Sequence, residues 1–220
     1  MGKQTILFLH GFASSAQSTK AQYLRERFKT LPRIAFDAVD FNPTPADFEY
    51  MTTTGQINRL RQFVLDRDLG SIRLIASSYG GLIALHYAHR FGGVEKMLLL
   101  APGLRWLNGG LSQEELEHWR HHGTAPVYQP AFGQQIPIHY DLQKDGLGYL
   151  AFIPPPVPAL IIHGQNDATV PVEDSRRYAA DYPDRVHLME VDAAHDLNGY
   201  LDLIWECVQS FLLVRNQGGD

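Results

Sequence analysis

Six short apolar runs, separated by stretches of helical periodicity, constrain this chain more than any other feature. They are Thr5–Leu9, Ile34–Val39, Ile72–Ala76, Lys96–Leu100, Ala159–His163 and Val186–Val191. Each is rich in Ile, Leu, Val or Phe, and none alternates strictly with polar residues, which is the pattern of strands buried on both faces. Between them Ala21, Leu24, Phe28 and Leu31 recur at helical spacing, as do Ile57, Leu60 and Val64. The alternation predicts an α/β fold: a mostly parallel six-stranded sheet with helices on both faces. Leu197, Leu201, Ile204, Val208 and Phe211 step by four and three, so a last helix should dock on the sheet, with Trp205 and Cys207 as core.

With 220 residues the chain fits one domain, 1–220, large enough to bury a sizeable core. A net charge of -5 without any Lys/Arg block gives no sign of a nucleic-acid partner. Cys207 is the single cysteine, so no intramolecular disulfide can form and a reducing compartment is compatible. The apolar run Ile6–Leu9 is too short for a signal-peptide core, and no stretch approaches bilayer-spanning length. These features predict a cytoplasmic protein with no membrane partner. Its oligomeric state is left open.

One segment breaks the alternation. Residues 103–157 contain a predicted helix, Ser112 to His122, and then a Pro- and Gly-rich stretch ending in Pro154-Pro155-Pro156. Proline removes backbone donors, so regular sheet is not expected there. A connection of this length inside a domain points to a short lid or cap insert. Trp106 and Phe132 would either line an acyl pocket or fill the insert's own core. His118 and His122 have the spacing at which two imidazoles share a metal, with His121 beside them. Trp119, however, stands where the zinc-protease pattern has glutamate, so a solvated helix face is expected and no metal. No glycine-rich stretch has phosphate-loop spacing, and no cofactor is expected.

The third strand runs into Ser77-Ser78-Tyr79-Gly80-Gly81, followed by a helical stretch from Leu82 to Phe91. A tight strand-to-helix turn that exposes a nucleophile needs small residues two before and two after it. Centring on Ser78 places Ala76 and Gly80 there, whereas centring on Ser77 places Ile75 and Tyr79. Ser78 is therefore the candidate nucleophile. It would sit at a helix N-terminus, where backbone N–H groups and the macrodipole favour developing negative charge. The alternative is a serine that only caps the helix.

A serine hydroxyl needs a base, and the base needs an orienting acid. Asp167 lies in the loop after the fifth strand and His195 in the loop after the sixth, giving the order Ser, Asp, His at the carboxyl ends of three strands. Asp192 and Asp196 are alternative acids, but they adjoin the histidine too closely to face it easily. The backbone N–H groups of Phe12, just after the first strand, and Tyr79, just after the nucleophile, are candidate oxyanion donors. His10 is expected to brace its loop. Together these residues predict a serine hydrolase of the α/β-hydrolase fold, forming an acyl-enzyme on Ser78.

Leu9-His10-Gly11-Phe12-Ala13-Ser14-Ser15, continuing to Ser18-Thr19-Lys20-Ala21, resembles the opening of the small bacterial YqiA-type esterases, the UPF0227 group. Ser77-Ser78-Tyr79-Gly80-Gly81 is similar to that family's elbow, and Gly133-Gln134-Gln135 with Tyr140-Asp141-Leu142 to part of its insert. The resemblance implies a minimal lid and hydrolysis of carboxylic esters or thioesters, with Ser78, Asp167 and His195 as the triad. Ala76, where the family tends to have glycine, and a longer acid loop through His163-Gly164 depart from the pattern. The expected substrate is a small ester of short to medium acyl chain. An acyl-CoA thioesterase, other chemistries of the same fold and a non-catalytic binding module are the alternatives, whereas Ser78 at the elbow excludes an aspartate-nucleophile dehalogenase.

Overall fold

All six predicted strands form, and they hydrogen-bond as one parallel sheet in the computed structural model of the chain, which describes residues 3–105 and 111–214. In chain order the elements begin with β1 (Gln4–Leu9), α1 (Thr19–Phe28), β2 (Ile34–Val39), α2 (Pro45–Glu49) and α3 (Thr53–Asp66). Next come β3 (Ile72–Ser77), α4 (Tyr79–Phe91) and β4 (Val94–Leu100). The insert supplies α5 (Gln113–His122), β5 (Thr124–Gln129), β6 (Gln134–His139) and α6 (Asp141–Gly146). The chain then completes the sheet with β7 (Ala159–Gly164), α7 (Val172–Asp181) and β8 (Val186–Val191), and α8 (Leu201–Cys207) follows. The sheet order is β2-β1-β3-β4-β7-β8. The chain leaves β1 toward β2 and then returns to the other side of β1 as β3, so β1 and β3 flank the point where open α/β sheets bind ligands.

Alternate side chains of each strand feed opposite layers. Leu7, Leu9, Leu74, Ala76, Met97, Leu99 and Ile161 pack with α3, α4 and Tyr178 of α7. Ile6, Phe8, Ile75, Leu98, Leu100 and Ile162 pack with α1 and α8. This is the α/β-hydrolase fold, with the sheet buried on both faces as its unalternating strands require. At the bottom edge, Arg73 and Lys96 donate to the carbonyls of Leu212 and of Phe211 and Val214, placing cations against the C-terminal end of the last helical segment.

Two expectations need correction. The Pro-rich part of the insert does contain sheet: β5 and β6 form an antiparallel hairpin in which Pro126 lies opposite Pro137. The ribbon has only two strands, so a residue without an N–H is tolerated where that group would point to an outer edge. The C-terminal stripe also shifts. A π turn over Val208–Leu212, closed by Leu213 N–H donating to Val208 O at 2.8 Å, adds a residue to the last turn. Leu212 is therefore fully buried where Phe211 was expected, and Phe211 is only partly covered. Trp205 and Cys207 are core residues.

The insert lies over α3 and α4. Trp119 of α5 is buried and donates to Ile138 O on β6 at 2.8 Å, and Phe132 packs against the core on this side. Asp145 of α6 accepts from Thr54 N–H at 2.7 Å and from its hydroxyl at 2.6 Å, tying the insert to the first turn of α3. Trp106 lies outside the described residues.

Candidate active site

The turn from β3 into α4 is held open by small residues. Ser78 has φ 52° and ψ −121°, an unfavourable conformation for a residue with a side chain, and lies just before the helix. Its carbonyl accepts from Gly81 N–H at 2.8 Å and Gly103 N–H at 2.9 Å, and its own N–H donates to Leu100 O at 2.9 Å. A β-carbon on Gly80 would lie 2.6 Å from Leu9 O, so only glycine lets α4 start this close to β1. Ser77, by contrast, is the last buried residue of β3.

Three side chains from three strand ends meet here. His195 Nδ1 lies 2.7 Å from Asp167 Oδ2, and His195 Nε2 lies 2.9 Å from Ser78 Oγ. With Nδ1 donating to the carboxylate, Nε2 is left to accept the Ser78 hydroxyl proton. Asp167 Oδ1 accepts from the Thr169 and Val170 N–H groups, each at 2.8 Å. Burial pushes this carboxyl up, but the Val170 N–H, His195 and the Thr169 N–H outweigh it and hold Asp167 below the usual carboxylate range. Asp192 and Asp196 are exposed and turned elsewhere: Asp192 accepts from Asn166 and Asp196 from Asn198 N–H.

The loop after β1 runs along the nucleophile. A β-carbon on Gly11 would lie 3.1 Å from Ser78 Cβ, so the backbone leading to Phe12 passes beside it. Tyr79 opens α4, in the turn whose amides point out of the helix end. His10 is buried, donates from Nδ1 to Gly11 O at 2.9 Å and accepts from Phe41 N–H at Nε2 at 3.2 Å, joining the loops after β1 and β2. The Tyr79 phenol donates to Thr53 Oγ1 at 2.9 Å, and burial raises its pKa, which keeps it protonated.

Ser78 opens into a cavity of about 300 Å³ between the sheet and the insert. Leu82 of α4, Trp119, Val127, Ile138 and Leu142 of the insert, and Val170 form its apolar wall. His118, His121 and His122 are exposed on α5, where the His118 and His122 rings stack at 3.9 Å, and no group of three or more metal-ligating side chains occurs among the described residues. No helix among the described residues is long and apolar enough to cross a membrane. One residue at the site has no role in the sequence reading. His163, expected at the end of the fifth strand where the acid loop begins, is fully buried with Nε2 3.1 Å from Asp167 Oδ2. Its signal was a histidine at a buried strand end, four residues before the acid.

The model of the uncharacterised protein family UPF0227 matches residues 5–212. The chain belongs to the UPF0227 family. Solved structures with the α/β-hydrolase fold are similar to this UPF0227 chain. Est1E from Butyrivibrio proteoclasticus, with ferulic acid bound, is 18% identical with a TM-score of 0.79, covering 96% of this chain and 89% of that one. The α/β hydrolase domain-containing protein 10 from mouse is 22% identical with a TM-score of 0.74, covering 96% and 91%. A monoacylglycerol lipase from Paleococcus ferrophilus is 13% identical with a TM-score of 0.72, covering 95% of each chain. Among curated proteins, a probable lysophospholipase of Arabidopsis thaliana, BODYGUARD 3, is 36% identical over 107 residues, which is 46% of the UPF0227 chain. The match spans only 21% of that relative's length.

Proposed function

We propose that this chain is a serine hydrolase that cleaves carboxylic esters of short to medium acyl chain through an acyl-enzyme. The observation that carries the reading is the unbroken path from Ser78 Oγ through the His195 ring to Asp167 Oδ2, beneath an apolar cavity. Ser78 Oγ attacks the ester carbonyl carbon as His195 Nε2 takes its proton, and Asp167 stabilises the imidazolium. The carbonyl oxygen becomes an oxyanion facing the Phe12 and Tyr79 N–H groups, each worth on the order of 10²–10³ in rate. His195 returns the proton to the leaving alcohol. Water, deprotonated by the same imidazole, then attacks the acyl-enzyme carbonyl, and the imidazolium returns that proton to Ser78 Oγ as the acyl–oxygen bond breaks and the acid leaves.

Residues 103–157 serve in this reading as a lid whose inner wall holds the acyl chain, because Trp119, Val127, Ile138 and Leu142 all face the cavity. The names of two relatives, a monoacylglycerol lipase and a probable lysophospholipase, support ester hydrolysis in general. The reaction needs no cofactor. A panel of p-nitrophenyl esters and matching acyl-CoA thioesters, from two to twelve acyl carbons, tests the assignment. Ester turnover that peaks at short to medium length is expected. Turnover of thioesters alone would make the chain a thioesterase, and turnover of neither would favour a binding module.

A further inference from the structure

Two imidazoles share the Asp167 carboxylate. Oδ2 lies 2.7 Å from His195 Nδ1 and 3.1 Å from His163 Nε2, and the side chains of His163 and Asp167 are both fully buried. His163 Nε2 is also 3.0 Å from Val170 O. Facing two oxygen acceptors, this nitrogen carries a hydrogen in any protonation state. Nδ1 lies 2.7 Å from the hydroxyl of Ser175, a fully buried residue of α7. Hydrogen bonds thus run without a break from Ser175 through His163, Asp167 and His195 to Ser78.

The two oxygens of Asp167 are held differently. Oδ1 is fixed by backbone N–H groups of its own loop, whereas Oδ2 must stay in line with His195. A carboxylate anchored through one oxygen can still twist about its last torsion. The buried N–H of His163 is a second anchor, from the end of β7 rather than from the loop. It also draws charge from the oxygen that faces His195. Glu190 of β8, the register partner of His163, is already clamped by Arg176 through bonds of 2.9 and 2.6 Å. Among the described residues, Asp167, Ser175, the Val170 carbonyl, Glu190 and, beyond Asp167, His195 are polar groups near the ring.

We infer that His163 is a positioning residue for hydrolysis: it fixes Asp167 Oδ2 in the orientation that His195 requires. This rests on the proposed triad. The test compares His163→Leu, which removes the donor, with His163→Gln, whose amide N–H reaches toward the same oxygen. The readouts are the rate and saturation of Ser78 labelling by a fluorophosphonate across pH, together with the ring N–H resonances of His195. The leucine variant should label on the order of 10–100-fold more slowly at an unchanged saturation constant, as a small misplacement at a reacting centre costs. Its acid limb should move to higher pH, because less of the Asp167 charge is neutralised. Glutamine should restore most of both.

If leucine prevents folding, His163→Asn, polar but one methylene shorter than glutamine, makes the same comparison. Equal rates per folded molecule with unmoved acid limbs in all variants would overturn the inference and leave His163 as packing. A wild-type chain that does not label would count against the hydrolase reading instead. The His195 Nδ1–H resonance then decides: it should persist in wild type and His163→Gln and be lost to exchange in the variant whose side chain places no donor at Asp167 Oδ2. Persistence in every variant overturns the inference.

Discussion

The α-carbon of Gly164 faces the Ala193 carbonyl so closely that a β-carbon there would lie within 3.0 Å of it and of the Ala194 carbonyl. Gly164 ends the strand that leads to Asp167, and Ala193 and Ala194 lead to His195. This contact therefore sets the separation of the proposed acid and base. Gly164→Ala is expected to cost about 1–3 kcal/mol, as overpacking does, and to slow Ser78 labelling beyond what the unfolded fraction explains. Urea unfolding and labelling kinetics check this. Wild-type values in both would mean that the two loops are not coupled through Gly164.

The cavity should read acyl length. Ala125 of β5 lines it, so Ala125→Phe fills volume where a longer chain would lie. Excluding a methylene or two is worth about 1–3 kcal/mol. The variant should therefore lose at least roughly tenfold in kcat/KM for octanoyl esters and little for acetyl esters. An equal loss on both would place the chain elsewhere.

Stability should fall on the acid side of neutrality. Burial holds His10 and His86 below the ordinary histidine value of 6.5, although Gly11 and Asp40 oppose it at His10. Both are neutral when folded and regain the ordinary value on unfolding. Their contribution is complete above 6.5 and is lost as pH falls below it, with a slope of at most about 1.4 kcal/mol per pH unit per proton. At His86 burial outweighs the opposing Leu150 backbone and is joined by His89, so His86→Leu should flatten part of this slope. Urea midpoints between pH 5 and 8 measure it, and an unchanged slope would contradict the assignment.

The strands were legible because apolar content without alternation is a strong signal where a sheet is covered on both sides. Only their ends moved, as in β4, which begins at Val94 rather than Lys96. The approach of Ser78, Asp167 and His195 was legible through chain order and strand ends. The hairpin was not: proline argues against sheet on average, and only a two-stranded ribbon with free outer edges accommodates Pro126 opposite Pro137. Nor was the contact of His163 with Asp167. A histidine that closes a strand four residues before an aspartate does not read as its partner until tertiary burial turns both inward. Leu212 replaced Phe211 for a local reason, a π turn that no periodicity count anticipates.

Ser78 is the proposed nucleophile. Intact-mass and peptide mapping after fluorophosphonate treatment tests it most directly, on folded wild-type chain and on Ser78→Ala. A single adduct on Ser78, absent from the alanine variant and from denatured protein, is predicted, with ester turnover reduced by at least roughly 10⁴-fold in that variant. An adduct on Ser77 or elsewhere, or turnover retained by folded Ser78→Ala, would contradict it.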